Sequence, residues 1–288
     1  GSMIVLMVLI VVSALFWGLY EQTYGTWVAF TERGMTKDLF PAFVRETSTQ
    51  SQLPWSLFSL VVIPIGFLLA MRAAERDPRA AFARVMPPVA LALVLVFLLH
   101  DILIVPQTAG SLTFLGALFV VLLTPVFAWL WPLLDRKGMN PSAVAKFGLG
   151  LVFAGLSMGI LAYATTQAAP GVLVSVWWLV LAYLVLELGE MVLSPIGLSA
   201  VTTLSVPKVV GLMMGAWFLF SAFGEMIAGR LATRASIEPL PDGTYDLAQS
   251  LAVYGKFFTE MLWLGVGTGV VLIVLSPFFT RLTRAKPV

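Results

Sequence analysis

The sequence contains no cysteine, a single histidine and few charged residues. Charged side chains make up 11% of the 288 residues, whereas hydrophobic ones make up 59%. Without cysteine there is no disulfide framework and no cysteine-ligated metal site, and His100 alone cannot form the usual histidine sites. We therefore expect neither a metal nor another cofactor. A mean hydropathy of +0.96 is too high for a water-soluble chain of this length, so the protein is predicted to lie in a membrane.

Long apolar runs are abundant in the chain. A hydrocarbon core of about 30 Å needs roughly 20 apolar residues in a helix. Several runs are much longer than a barrel strand of about ten residues, and none alternates strictly, so helices are favoured over an outer-membrane barrel. We predict an all-α integral membrane protein with about eight transmembrane helices, at 3–30, 54–71, 86–105, 110–133, 146–165, 172–198, 209–232 and 258–279.

Basic residues cluster in two connections and at the C-terminal end. Cytoplasmic loops of membrane proteins carry an excess of lysine and arginine, so these three regions are predicted to be cytoplasmic. With an even number of spans, both termini are expected on the cytoplasmic side of the cell inner membrane. The clusters are Arg72, Arg76, Arg79 and Arg84, then Arg136, Lys137 and Lys146, and finally Arg281, Arg284 and Lys286.

Four glutamates, Glu21, Glu187, Glu190 and Glu225, fall inside apolar runs. Each ionised side chain near the bilayer centre would cost about 3 kcal/mol on insertion scales. We therefore expect these carboxyls to face a protein interior or a water-filled cavity, or to carry a proton. Glu187 lies three residues before Glu190, so the two share roughly one side of a helix and are predicted to share a proton.

Five stretches carry motifs that occur together in one transporter family. They are FWGLYEQTYGTW at 16–27, TPVFAWLW at 124–131, NPSAVAKFG at 140–148, GEMVLSPIGLSAVTTLS at 189–205 and GLMMGAWFLFSAFGEMIAG at 211–229. In this order they resemble the C-terminal half of the proton-dependent oligopeptide transporters (POT), a branch of the major facilitator superfamily. The resemblance implies a six-helix bundle of 3–30 and 110–282, with an inserted two-helix transmembrane hairpin at 54–105.

The resemblance also implies a function, the proton-coupled transport or binding of di- and tripeptides. It implies that Glu21 exchanges the coupled proton and that Glu190 binds the amino terminus of the peptide. Ser194, four residues later on the same helical face, and Trp217 are further candidates for substrate binding. Glu187 is assigned to proton coupling beside Glu21, although the family does not usually carry an acid there. For each residue the alternative is a structural polar contact or helix packing.

Three departures from the family affect this interpretation. Nothing in the chain resembles the six N-terminal helices of the family. Gly116 stands where the family often has an asparagine that contacts peptide. Glu225, a candidate for packing or for contact with a partner, also stands where the family often has an asparagine. A single bundle cannot provide alternating access, which moves one bundle against another. The expected partners are therefore protons, small peptides, the bilayer and a second six-helix bundle, a homodimer or another membrane complex, but no nucleic acid.

Two other functions remain open at this point. The chain could be a transporter-derived subunit that does not transport but docks on and stabilises another membrane complex, which would agree with Gly116 and Glu225. A weaker alternative is an accessory proton path along Glu187, Glu190 and Glu21 that serves a partner enzyme. The chain itself is not expected to be an enzyme, because phosphate-binding loops, nucleophile elbows and metal-binding histidine pairs are absent from the sequence.

Overall fold

The computed structural model describes residues 1–42 and 106–284, together with the single positions 44, 65 and 72. The long elements of this part are all helices, which confirms the predicted all-α class. Apart from short 3₁₀ turns they are α1 (Ser2–Tyr20), α2 (Thr26–Gly34), α3 (Phe114–Arg136), α4 (Ala143–Thr166), α5 (Trp177–Leu204), α6 (Val210–Ala232) and α7 (Leu247–Arg284).

Six helical segments of the described part are long and apolar enough to cross a membrane. They correspond to six of the eight predicted runs, so the structure supports a multi-pass membrane protein. The two runs of the predicted hairpin, 54–71 and 86–105, lie outside the described residues except for position 65, and so does His100. The six segments are Ser2–Gly34, Ser111–Arg136, Ala143–Thr166, Trp177–Leu204, Pro207–Ala235 and Leu247–Thr283.

The predicted start of the last helix and the predicted loop position of Lys146 need correction, and side-chain capping explains both. The last helix begins at Leu247 rather than near 258, because the Asp246 carboxylate accepts the backbone N–H of Gln249 at 2.8 Å. Likewise, Ser142 caps α4, so the helix already includes Lys146. Lys146 is therefore not on an exposed loop: it is buried, and its ammonium lies 3.9 Å from the centre of the Trp131 ring.

The chain divides into two compact units, one made of Gly1–Thr36 and Ala109–Val288 and the other of Lys37–Thr108. All six apolar segments belong to the first unit. In the second unit the backbone N–H of Gln107 donates to the Asp38 carboxylate at 2.9 Å. The two ends of this unit are thereby joined. The insertion of a transmembrane hairpin at 54–105 stays a prediction.

Within the first unit, α4 packs against α1, α5 and α7, while α6 packs against α1 and α3 against α5. Glycines allow the closest crossings. A Cβ atom on Gly265 of α7 would lie 2.7 Å from Gly155 Cα, and one on Gly224 of α6 would lie 2.7 Å from the Ala14 carbonyl oxygen. Because lipid is as apolar as the side chains, close backbone contact between small residues is the usual way in which such helices associate.

The first apolar segment is a discontinuous helix rather than the single helix predicted over 3–30. After Tyr20 the chain forms a 3₁₀ turn at Glu21–Thr23, and α2 starts only at Thr26. We call residues 21–25 the helix break. Backbone groups released by a break need other partners in a membrane, since no water is available.

Gln22 holds the helix break together. Its buried amide nitrogen donates to the carbonyl oxygens of Gly18 at 3.1 Å and of Ala228, on α6, at 3.0 Å. The Thr26 hydroxyl donates to its amide oxygen at 3.0 Å. One side chain therefore links both ends of the break and fastens them to α6.

The α4–α7 crossing predicts opposite behaviour for two neighbouring glycines of α7. We expect Gly265→Ala to lower the stability by about 1–3 kcal/mol, because the new methyl group would collide with the backbone of α4. Gly267→Ala is the matched control, since a Cβ there meets nothing within 4 Å. Thermal unfolding in detergent, followed by circular dichroism, measures both. Equal melting points for the two variants would contradict the close crossing.

The role of Gln22 predicts that Gln22→Leu, which keeps the size of the side chain, destabilises the protein by about 2 kcal/mol. The substitution leaves buried carbonyl groups and the Thr26 hydroxyl short of partners. Gln167→Leu serves as the control, because Gln167 is exposed and, among the described residues, its side chain bonds to the adjacent Thr166. Chemical unfolding in detergent compares the two variants. A loss for Gln167→Leu as large as that for Gln22→Leu would refute the assignment.

Candidate functional site

Two carboxyls of α5 meet a tyrosine of α1 inside the first unit. The Tyr20 hydroxyl donates to Oε1 of Glu187 at 3.1 Å. Glu187 is 0% exposed, and Glu190, one turn further along α5, is partly buried. Glu190 interacts electrostatically with both Tyr20 and Glu187. We call Glu187 and Glu190 the α5 acid pair.

The α5 acid pair is incompletely satisfied. Oε2 of Glu187 and Oε2 of Glu190 are both buried, and neither accepts a hydrogen bond from another donor among the described residues, so the two carboxyls can bond to each other only through a shared proton. In the same part of the chain, no lysine or arginine contributes an electrostatic interaction to Glu187. Two adjacent carboxylates without a cation are unfavourable in a medium of low dielectric, so this arrangement can hold either a proton or a positively charged ligand.

Gly116 of α3 borders the α5 acid pair. A Cβ atom at this position would lie 3.0 Å from Oε1 of Glu187 and 3.7 Å from the ring of Tyr183. Because Gly116 has no side chain, α3 leaves room for the Glu187 carboxyl of α5. Sequence reasoning treated Gly116 as the loss of a polar group and Glu187 as a separate addition. The contact between the two positions shows that one departure accommodates the other.

A second pair of acids forms at the helix break. Glu21, partly buried in the break, interacts electrostatically with Glu225 of α6, which is exposed. Their proximity follows from the packing of α6 against α1 and the break. The four glutamates of the apolar runs thus form two pairs, each made of side chains that the sequence placed on predicted spans.

Tyr24, which sequence reasoning missed, connects the two pairs. It lies in the helix break, is 61% exposed, and interacts electrostatically with Glu21, Glu187 and Glu190. These three glutamates therefore lie in one region of the first unit. In the sequence, only the position of Tyr24 inside the motif at 16–27 indicated a functional role, and a tyrosine there is equally compatible with packing.

The remaining predicted substrate contacts have different surroundings. Ser194 is partly buried one turn after Glu190 and just before Pro195, which lies inside α5. Trp217 is 3% exposed; its ring packs against Gly197 and makes an edge-to-face contact with Phe147 at 6.0 Å between ring centres. Trp217 thus fills the space between α4, α5 and α6. Its assignment to substrate binding stays a prediction, as does that of Ser194.

Three or more side chains able to ligate a metal do not come together anywhere in the described part of the chain. The side chains of the site itself, Tyr20, Tyr24 and the glutamates, carry carboxyl and phenol groups. Such groups can exchange protons, and they can bind a cation or an ammonium group.

Comparison with known proteins gives a consistent result. The model of the POT family, PTR2, matches residues 105–240. The peptide transporter YePEPT of Yersinia enterocolitica subsp. palearctica is 39% identical over 128 residues, which cover 44% of this chain and 25% of the relative. Dipeptide and tripeptide permease B of Aeromonas hydrophila is 31% identical over 193 residues, which cover 65% of this chain and 37% of the relative. The chain therefore spans well under half the length of these relatives.

Solved structures share the fold over almost the whole chain. A crystal structure of a peptide transporter POT in complex with sulfate has a TM-score of 0.64 and 24% identity, and the match covers 98% of this chain and 41% of that one. A tetrameric PepTSo2 structure has a TM-score of 0.62 and 20% identity, with 98% and 44% covered. These relatives are transporters rather than enzymes. The chain resembles the C-terminal part of the POT family of peptide transporters, as its sequence motifs predicted.

Proposed function

We propose that this chain forms one bundle of a proton-coupled transporter and binds di- and tripeptides. The observation that carries the proposal is the meeting of Tyr20, Glu187 and Glu190 within membrane-spanning helices. A carboxylate in low dielectric attracts an ammonium strongly, and every peptide carries one at its amino terminus. The printed names of the relatives, peptide transporter and dipeptide and tripeptide permease, support this choice of substrate.

In this proposal Glu190 binds the amino terminus of the peptide. Within the described part of the chain no donor bonds to its buried Oε2 atom, so an incoming ammonium would supply a hydrogen bond there. Ser194 lies one turn further along the same helix and adds a hydroxyl for the peptide backbone. Trp217 is buried beside this stretch of α5, and its ring packs α5 against α4 and α6.

Glu21 and Glu187 are proposed to exchange the coupled proton. Glu21 lies in the helix break, where backbone torsions can change without disrupting a continuous helix. A movement there would alter the access of water to Glu21, and removal of water favours the protonated carboxyl. Tyr24, close to Glu21 and to both members of the α5 acid pair, connects the proton site with the ligand site.

A second six-helix bundle is proposed as the partner. Helices α3 and α6 leave large apolar side chains exposed, among them Trp129 on α3 and Leu212 and Phe218 on α6. Alternating access requires one bundle to move against another, and we assign the contact with the second bundle to these two helices. In this arrangement 3–30 and 110–282 form the bundle, and 54–105 forms the inserted hairpin.

The proposed location is the cell inner membrane, with both termini in the cytoplasm. The support comes from the end of α3, where Arg136 and Lys137 are exposed. Exposed basic residues directly after a membrane span are typical of the cytoplasmic side.

One observation favours a second candidate function, a subunit that docks on another membrane complex. Glu225 is exposed on α6, in a surface that also exposes Phe218 and Met226. An ionised carboxylate facing lipid is unfavourable, so a protein partner is a suitable cover for this surface. Under this hypothesis the α5 acid pair would be structural and would bind no peptide.

Binding of a dipeptide to the purified chain tests the proposal. We expect isothermal titration in detergent to detect Ala-Ala, and Glu190→Gln to weaken its binding at least tenfold, or about 1.4 kcal/mol. The reason is that a neutral amide loses the charge that attracts the ammonium. Glu260→Gln is the matched control, because Glu260 is exposed and paired with Arg234 at 3.3 Å, away from the α5 acid pair.

Uptake of labelled Ala-Ala into liposomes that contain only this chain, under an inward proton gradient, separates binding from transport. Binding without uptake is the expected result for one bundle alone, whereas gradient-dependent uptake would mean that two copies assemble into a transporter. A folded chain that binds no dipeptide would contradict the proposal and favour the docking subunit.

A further inference from the structure

A groove opens where the last turns of α4 meet the early turns of α7. It has a volume of about 550 Å³, is open to the surface and shares no lining residue with the α5 acid pair. A space of this size is sufficient for a small polar ligand. We call it the α4–α7 groove. Its polar lining residues are Thr165, Thr166, Lys256, Thr259 and Glu260.

The α4–α7 groove lies at the level where a bilayer meets water. Helix α7 has 38 residues and is about 57 Å long, well beyond a hydrocarbon core of about 30 Å. Its apolar run, 258–279, begins only beside Lys256. On the neighbouring helices Tyr163 is 54% exposed, one turn before the end of α4, and Trp177 is 50% exposed at the start of α5. Exposed tyrosine and tryptophan at the ends of spans are typical of the headgroup region.

Two opposite charges line the groove without neutralising each other. Lys256 is exposed, and among the described residues it has neither an ion pair nor a hydrogen bond. Glu260, one turn further along α7, binds Arg234 through Oε2 at 3.3 Å. Residues four apart on a helix have Cβ atoms about 5–6 Å apart and lie on the same side. A ligand with a negative and a positive group on a short linker therefore matches this pair.

The threonine hydroxyls of the groove are available as acceptors rather than as donors. Each donates its hydrogen to a backbone carbonyl of its own helix at 2.7 Å: Thr165 to Ala162, Thr166 to Tyr163, and Thr259 to Gly255. A hydroxyl has one hydrogen to donate and two lone pairs to accept with. Beside the Glu260 carboxylate, the groove thus offers several oxygen acceptors and a single cation, Lys256.

We propose that the α4–α7 groove binds a membrane phospholipid whose headgroup carries a primary ammonium, as in phosphatidylethanolamine. The phosphate binds Lys256, and the ammonium, two carbons away, donates its three N–H groups to Glu260 and the threonine oxygens. Trp263 and Leu264, the next turn of α7 on the same face, are 67% and 36% exposed and provide an apolar surface for the acyl chains. This inference does not depend on peptide binding.

The same acceptors discriminate between headgroups. A phosphatidylcholine headgroup has the same charges, but its quaternary nitrogen has no N–H to donate. A phosphatidylglycerol headgroup has the phosphate but no cation for Glu260. Both are therefore expected to bind more weakly than phosphatidylethanolamine.

Melting of the purified full chain in detergent, with dioleoyl forms of the three lipids added at equal concentration, tests the inference. We expect the ethanolamine lipid to raise the melting temperature by about 3 °C more than either of the others. Native mass spectrometry should find one molecule of it retained. Replacing the ammonium hydrogens by methyl groups, one at a time, should reduce the shift stepwise.

Three variants locate the headgroup, each compared with its own melting temperature without lipid. Lys256→Gln and Glu260→Gln should abolish the preference, and Ala252→Trp should do so by filling the groove without changing a charge, since Ala252 is an exposed lining residue. Lys208→Gln is the matched control, because Lys208 is exposed in the turn between α5 and α6, outside the groove. It should keep the full shift.

The other outcomes would overturn the inference. Equal shifts for the three lipids would remove the headgroup specificity, and a preference that survives Lys256→Gln and Glu260→Gln would exclude this groove. Equal shifts for the ethanolamine and glycerol lipids, lost in Lys256→Gln alone, would reduce it to a phosphate site. Glycerophosphoethanolamine, which lacks acyl chains, should give no shift at the same concentration; an equal shift would indicate a soluble ligand instead of a lipid.

The proposed function fails or holds separately. Titration with Ala-Ala is done without phospholipid, so Glu260→Gln should retain peptide binding while losing the response to the ethanolamine lipid. A chain that binds no dipeptide but keeps this response would refute the proposed function alone.

Discussion

The lack of water inside a bilayer is the constraint on which this structure depends. Every backbone group released from a helix, and every carboxyl placed in a span, must find its partner within the protein. Gln22 satisfies the first requirement at the helix break, because it bonds to carbonyl oxygens on both sides of the gap between α1 and α6. The α5 acid pair satisfies the second requirement only partly, since two of its oxygens have no partner among the described residues.

The same constraint explains why glycine is placed where helices cross. Apolar side chains gain little from leaving lipid for protein, so close contact between backbones holds the helices together. Gly155 and Gly265 bring α4 and α7 together, and Gly224 brings α6 onto α1. The Gly224 contact fixes how α6 lies along α1. This packing places Glu225 near Glu21 and the helix break near α5.

The sequence predicted the helical class and the positions of six spans, because long apolar runs depend on local composition alone. It did not predict the helix break. Gln22 stabilises that break through Ala228, which is distant in the sequence, and no local pattern records such a partner. The early start of α7 was missed for a simpler reason: Asp246 caps a stretch that is too polar to count as part of an apolar run.

The candidate site was predicted residue by residue but not as an arrangement. Glu21, Glu187, Glu190 and Glu225 were recognised because carboxyls in apolar runs are costly wherever they occur. Their grouping into two pairs depends on how helices pack, and periodicity relates only residues of one helix. The contact between Gly116 and Glu187 is of this kind, since the space left by one helix is used by the side chain of another.

The bond between Gln107 and Asp38 has a consequence for how the length of the chain can vary. It joins residues near the two ends of the second unit. In an unfolded chain, the entropic cost of bringing two residues together grows only with the logarithm of the number of residues between them, and each doubling adds about 0.6 kcal/mol. A change in the number of residues between Asp38 and Gln107 would therefore alter the free energy of forming this bond only a little.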